Sequence, residues 1–249
     1  MSLDFENRKI IITGAATGIG RATAEALTYA GASIALWDID HTACADLSSS
    51  ASAKSIALEV DVSNSISVKN AMAASIEALG KIDGAFNNAG IGIDTLPLEA
   101  VEEADFDRIV SVNMKGVWLC MKNQLTYMKA NGGGAIVNNA SVAGLVGLAM
   151  QAAYSGTKHA VIGMTKAAAM EAAASRVRIN AICPGATDTP ILAHLLKAGI
   201  SEDVLAEMTA QKRLASPEEI AAAACWLLSD AASFVTGTAM PVDGGWTAH

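Results

Sequence analysis

Thr13-Gly14-Ala15-Ala16-Thr17-Gly18-Ile19-Gly20 decides the fold, because an apolar run (KIIIT, Lys9 to Thr13) leads into it and a helix-forming segment, Arg21 to Ala30, leads out. Glycines at such a turn let the backbone bend tightly and approach a pyrophosphate. The helix N-terminus behind them offers N–H donors and positive potential. The spacing is G-x-x-x-G-x-G rather than the G-x-G-x-x-G dinucleotide fingerprint. Context therefore carries the reading: strand before, helix after, and Asp38 eighteen residues beyond Gly20. An acidic residue ending a second strand can bind both ribose hydroxyls of an adenosine and repel a 2′-phosphate. Asp38 could instead cap a helix starting near Asp40. No Lys or Arg stands at Ala15, Ala16, Thr17, Trp37 or Ile39 to receive a 2′-phosphate, so NAD is favoured over NADP.

Outward from this turn, short apolar runs recur: Ser33 to Asp38, Ser55 to Asp61, Ile82 to Asn88, Ala135 to Ser141, Val177 to Cys183 and Thr238 to Asp243. Near-continuous apolar character suits parallel strands buried on both faces. Between the runs lie Ala-rich stretches of helical length, including Ser65 to Leu79 and Ala152 to Ala174. Ser216, Pro217 and Glu219 form an N-cap, a first-turn proline and a capping box. This alternation predicts an α/β fold. About seven strands and the glycine turn favour a Rossmann-like doubly wound parallel sheet, with helices on both faces, over a closed barrel. Polar groups gather where the strands end: Thr13-Gly14, Asp38, Asp61, Asn87-Asn88, Ser141 and Pro184-Gly185.

Composition removes other classes. The 249 residues are 52% hydrophobic and 17% charged, which excludes disorder and allows a large core. A net charge of −8 argues against nucleic-acid or anionic-membrane partners. No run of eighteen apolar residues predicts a transmembrane helix, and MSLDFENRK does not read as a signal peptide. Cys44, Cys120, Cys183 and Cys225 form no CxxC pair and read as buried thiols of a cytoplasmic protein. His41, His159, His194 and His249 show no metal spacing, so no metal is expected. Neither a G-x-S-x-G elbow nor a Walker A sequence occurs. Glu102-Glu103 and Glu218-Glu219 fit helix dipoles better than acid–base work.

Tyr154 and Lys158, four residues apart, share one helix face. Lowering a tyrosine pKa from about 10 to about 7 requires roughly 4 kcal/mol. One positive charge about 4 Å away, at an effective dielectric near 20, supplies a term of about that size. Lys158, helped by a positively charged nicotinamide, is thus expected to make Tyr154 a usable general base.

Taken together, the motifs are specific. TGAATGIG, Asp61-Val62, NNAG at Asn87 to Gly90, Asn113, Ser141, Tyr154-x-x-x-Lys158, Pro184-Gly185 and the closing FVTGTAMPVDGG occur in this order. By them the chain resembles, end to end, the short-chain dehydrogenase/reductase family of the compact, NAD-dependent kind. The resemblance implies one Rossmann-like domain over 1–249. Tyr154 would be the general base or acid on the substrate oxygen, and Ser141 would hold that oxygen. Lys158 would bind the nicotinamide ribose and tune Tyr154, and Asn113 would position the water of a proton relay. Gly14, Thr17, Gly18, Ile19 and Gly20 would cradle the cofactor, and Asp38 and Ile39 would meet its adenosine. Asp61 and Val62 would contact adenine. Asn88, Ala89 and Gly90 would lie on the adenosine ribose side. Pro184, Gly185, Thr187 and Thr189 would lie by the nicotinamide amide and phosphates. Ala140 departs from the family, many of whose members carry a second serine there.

In such proteins the segment after Pro184-Gly185, here about 189–213, folds over the substrate. It carries Ile191, Leu192, Leu195 and Leu196, with His194 and Lys197 among them, while Val142, Leu145, Val146 and Met150 follow Ser141. Val142, Met150 and Leu192 are the expected substrate contacts, in an apolar pocket for a cyclic, aromatic or steroid-like secondary alcohol or ketone. These residues could equally only pack the lid against the body. No arginine precedes Arg213 in either segment, so no anionic substrate is indicated. The alternatives are an NADPH-dependent ketoacyl-type reductase and a non-catalytic NAD(H)-binding sensor. The family resemblance further implies a homotetramer.

Overall fold

Each of the seven apolar runs forms a strand. The computed structural model describes residues 3–50, 54–197 and 199–248; the side chains of His194 and Lys197, and His249 altogether, lie outside the described residues. The strands are β1 (Lys9–Thr13), β2 (Ser33–Asp38), β3 (Ser55–Glu59), β4 (Gly84–Asn87), β5 (Gly134–Asn139), β6 (Val177–Pro184) and β7 (Ala239–Val242). All pairings are parallel, in the order β3-β2-β1-β4-β5-β6-β7.

Helices cover both faces, as near-continuous apolar strands require. They are α1 (Gly18–Tyr29), α2 (Ala45–Ser50), α3 (Ser65–Leu79), α4 (Glu103–Ile109), α5 (Val117–Ala130), α6 (Ala152–Ala172), α7 (Leu192–Lys197), α8 (Glu202–Glu207) and α9 (Pro217–Leu228). Side chains alternate along each strand. Ile11, Ala35 and Ile136 therefore join a core with α3, α5 and α6. Ile10, Ile12, Ile34 and Leu36 join a second with α1 and α9. The expected capping at α9 is present: Ser216 N–H donates to Glu219 Oε2 at 2.9 Å, and Pro217 opens the helix. All four cysteines are buried and free. No helix among the described residues is long and apolar enough to cross a membrane.

The core also holds a polar knot that apolar patterning does not announce. Asn87 Nδ2 donates to Gln124 Oε1 and to Asn138 Oδ1, both at 2.9 Å, and Gln124 Nε2 returns a bond to Asn87 Oδ1 at 2.7 Å. Asn138 Nδ2 donates to Thr165 Oγ1 at 2.9 Å, and that hydroxyl donates to Val161 O at 2.8 Å. These four side chains are at most 1% exposed. The knot ties β4 and β5 to α5 and α6, so it fixes the distance between the sheet and the helix that carries Tyr154. Gln124→Leu leaves Asn87 Oδ1 without a donor. It is expected to lower unfolding stability by about 2 kcal/mol, the cost of a stranded buried amide. Denaturant midpoints check this, and a parental midpoint in Gln124→Leu would contradict it.

Candidate active site

The strand order reverses direction between β1 and β4, and ligands of open α/β sheets bind beyond the carboxyl ends of strands at such a point. A cleft of about 740 Å³ lies there, lined by the loops that follow the strands and by the start of α6. Gly14 opens the turn after β1 in the left-handed region, with φ +64°. A Cβ on Gly20 would fall on Gly14 O, and one on Gly14 would reach within 2.8 Å of Ala89 Cα. Only glycine allows strand, turn and helix to approach this closely. Thr17, the N-cap of α1, makes no side-chain cap, and no acidic residue stands in the first turn. The helix thus presents backbone donors to the cleft, a chemistry suited to a pyrophosphate.

Asp38 lines the same cleft at the end of β2. Its Oδ2 accepts from Ala16 N at 2.9 Å and its Oδ1 from Asp40 N at 3.0 Å, so the glycine turn aims the carboxylate. The cap of the following 3₁₀ turn is Asp40, which accepts from Ala43 N, so Asp38 is not spent as a helix cap. Arg21 is near the turn but donates to Glu25, Ala43 O and Asp46. Among the described residues, Arg108 and Lys158 are the only Lys or Arg side chains lining the cleft.

The cleft gathers most of the residues expected from sequence. Thr17, Gly18, Ile19, Ile39, Asp61, Val62, Asn88, Ala89, Gly90, Pro184, Gly185, Thr187 and Thr189 line it together with Ser141, Tyr154 and Lys158. Gly20 lies behind the wall as a packing glycine. Asn113 is not in the wall either. It sits in a π-helical segment, Val110–Gly116, and its amide is spent on Ile91: Oδ1 accepts from Ile91 N at 2.8 Å and Nδ2 donates to Ile91 O at 2.9 Å. Its side chain therefore shapes the wall formed by Ile91 to Ile93.

Ser141 and Tyr154 line the cleft together, and Lys158 Nζ donates to Asn139 O at 2.9 Å while lying 5.6 Å from the centre of the Tyr154 ring. The chain's own groups do not by themselves supply the expected lowering of the Tyr154 pKa. Burial pushes Tyr154 above its ordinary value, and the Ser141 side chain pulls it only partly back. Lys158 is itself buried, and desolvation lowers its pKa to about 8. Both groups lose water, so the charged form of each is disfavoured and a bare Coulomb estimate overstates the help the lysine gives.

At the substrate end the wall is apolar, with Ile93, Val142, Leu148, Leu192, Leu195 and Leu205. Met150, an expected contact, is a correction. It adopts φ +65°, is 46% exposed and does not line the cleft. This backbone reversal turns Met150 outward and brings its neighbours Leu148 and Gln151 into the wall. Sequence reading also missed Arg108, Ser111 and Trp246, which line the cleft from positions remote in sequence. Gln151 had one available signal, its place three residues before Tyr154.

Residues 14–247 match a family model described as enoyl-(acyl carrier protein) reductase. A 2,5-dichloro-2,5-cyclohexadiene-1,4-diol dehydrogenase of Sphingobium indicum is 43% identical over 98% of this chain and 99% of its own. A cis-4-hydroxycyclohexanecarboxylate dehydrogenase of Sinomonas cyclohexanicum is 41% identical over 98% of each chain. The crystal structure of a 3-ketoacyl-(acyl-carrier-protein) reductase from Brucella melitensis complexed with NADH matches with TM-score 0.91 and 34% identity, covering 97% of this chain and 99% of that one.

A buried ammonium with a lowered pKa costs stability in a defined pH window. Below about pH 8 both folded and unfolded chains hold the Lys158 proton, and the cost is fully present. Above that, only the unfolded chain holds it until about pH 10.4, so the cost fades as pH rises. Lys158→Met is therefore expected to be more stable than the parent at pH 7, by about 3 kcal/mol at 1.36 per pKa unit. The advantage should vanish near pH 10. Unfolding midpoints across this range decide it, and a constant difference would contradict it.

Proposed function

The chain belongs to the short-chain dehydrogenase/reductase family, and on that footing we propose that it transfers a hydride between NAD(H) and a cyclic secondary alcohol or its ketone. The observation that carries this reading is the placement of Ser141, Tyr154 and Lys158 in one cleft with an uncapped helix N-terminus and the Asp38 carboxylate. The residues present fit a nicotinamide dinucleotide: a glycine cradle with no room for a Cβ, backbone donors for the pyrophosphate, and a carboxylate for the adenosine ribose. When bound, the nicotinamide supplies the hydride acceptor or donor, and its oxidised form adds positive charge near the phenol.

The chain's own residues do the rest. Ser141 holds the substrate oxygen beside Tyr154, and its Oγ also accepts from Ala143 N at 3.1 Å, which fixes its rotamer. In reduction Tyr154 donates its proton to that oxygen. In oxidation it takes the hydroxyl proton. Lys158, steadied by Asn139 O, holds the nicotinamide ribose. Asn113 positions the wall loop through Ile91. Asp38 selects NAD: its carboxylate is aimed into the cleft, and Arg21 is engaged elsewhere. A cyclic substrate is supported by the apolar wall and by the ring alcohols in the names of the two relatives above. The whole of 1–249 acts as one domain, with 189–213 as the lid, in a cytoplasmic homotetramer.

Two outcomes test this reading. Because burial keeps Tyr154 protonated at neutral pH, alcohol oxidation, which needs the phenolate, should climb with pH through the alkaline range. Ketone reduction, which needs the proton, should stay level and fall only above the tyrosine pKa. Tyr154→Phe should lower kcat by about 10²–10⁴-fold in both directions. Steady-state rates in both directions check this, and a Tyr154→Phe enzyme with parental rates would contradict it. Separately, Asp38→Ala should lower kcat/KM for NAD⁺ by about 10- to 100-fold, the worth of charge-assisted hydrogen bonds, and raise relative use of NADP⁺. Parental preference for NADP⁺ would overturn the assignment of Asp38.

A further inference from the structure

Gln151 occupies the N-cap position of α6 and makes no side-chain cap. Caps are normally Ser, Thr, Asp or Asn, because a short side chain reaches the free N–H groups; a glutamine here contributes nothing to starting the helix. It is 92% buried by its 8% exposure, and it lines the cleft with Tyr154 and Ser141.

Its amide is held from outside the helix. Gln151 Nε2 donates to Thr95 Oγ1 at 2.9 Å, and one residue away on each side Leu96 N donates to Met150 O at 3.0 Å. The two bonds stitch the 95–96 loop to the approach of α6. The left-handed backbone at Met150, φ +65°, costs energy for a residue with a side chain, and it is spent on bringing Gln151 into the wall. Among the described residues Gln151 Oε1 has no hydrogen-bond partner, and Nε2 keeps a second N–H. Around it the wall is apolar, with Ile93, Leu148, Leu192 and Leu205. An amide in the cleft wall with an open acceptor among apolar neighbours is complementary to a polar group on a ligand.

We propose that Gln151 is a specificity-determining residue that hydrogen-bonds a second oxygen function of the ring, on the side opposite the reacting carbon, so that the preferred substrates are cyclic 1,4-diols and the corresponding hydroxyketones rather than simple ring alcohols. Gln151 and Tyr154 stand three residues apart at the start of α6 and line the same cleft. Tyr154 can thus hold the reacting oxygen while Gln151 Oε1 accepts from the hydroxyl across a six-membered ring. This inference rests on the hydride-transfer reading above and names the substrate class of the same site.

The test compares cyclohexanol with 1,4-cyclohexanediol, each with NAD⁺, in the parent, Gln151→Leu and Thr95→Val enzymes. The parent should prefer the diol. A substrate hydroxyl left without its partner in an apolar wall costs enough that Gln151→Leu should lower kcat/KM for the diol by about 10-fold or more, with cyclohexanol unchanged or improved. Thr95→Val frees the amide without removing it, so it should raise KM for the diol alone and leave kcat in place. It serves where Gln151→Leu fails to fold. A parent that oxidises cyclohexanol but shows no preference for the diol overturns this inference and leaves hydride transfer standing. So does a loss in Gln151→Leu that is equal for both substrates, which marks a structural role. A parent that oxidises no ring alcohol overturns both readings.

Discussion

A relay of hydrogen bonds across the carboxyl ends of neighbouring strands holds the site together. Asn88 Nδ2 donates to Thr13 O and Gly14 O, so it clamps the glycine turn. Asn88 Oδ1 accepts from Asn139 Nδ2 at 2.8 Å, and Asn139 O accepts from Lys158 Nζ at 2.9 Å. The cradle for the dinucleotide and the lysine beside Tyr154 are thus two ends of one relay running from β1 through the ends of β4 and β5 to α6. Thr13 Oγ1 reinforces it by accepting from both Asn88 N and Ala89 N. Beneath it the buried knot of Asn87, Gln124, Asn138 and Thr165 sets the spacing between the same strands and α6. Asparagines suit this place because each offers both a donor and an acceptor at short reach, so adjacent strand ends can be cross-linked without charge.

Desolvation governs the chemistry in this frame. Tyr154 and Lys158 lie side by side in a wall where the charged form of either is costly, and the structure keeps both nearer neutral than in water. A phenol held protonated next to Ser141 is a ready proton donor. A lysine with a pKa near 8 gains most from any partner that restores its charge. Such a pair is poor for stability and good for function, the usual compromise where buried titratable groups face a cleft.

Much of this was legible in the chain, and the reasons differ by feature. Strand positions could be read within a residue or two because parallel strands buried on both faces leave unbroken apolar runs, as at Ser33–Asp38. The glycine turn was legible because sterics leave no alternative at Gly14 and Gly20. Other features depend on contacts between distant segments. Nothing local to Asn113 says that its amide will be consumed by Ile91, or that Arg108 and Trp246 will reach the cleft. Met150 was misplaced because its positive φ reverses which neighbours face inward, and a non-glycine residue gives no warning of that. For Tyr154 the spacing reveals a neighbouring charge but not the loss of water, which among the chain's own groups pushes the phenol up.

The account stands on hydride transfer from a ring carbinol at the Tyr154 cleft, and an isotope follows that atom directly. The protein would be incubated with NAD⁺ and cyclohexanol or 1,4-cyclohexanediol deuterated at the carbinol carbons, and the reduced cofactor recovered for mass analysis. The account predicts one deuterium in each reduced nicotinamide, with labelling lost in Tyr154→Phe over the same interval. Reduced cofactor without deuterium, or equal labelling in the Tyr154→Phe protein, would contradict it.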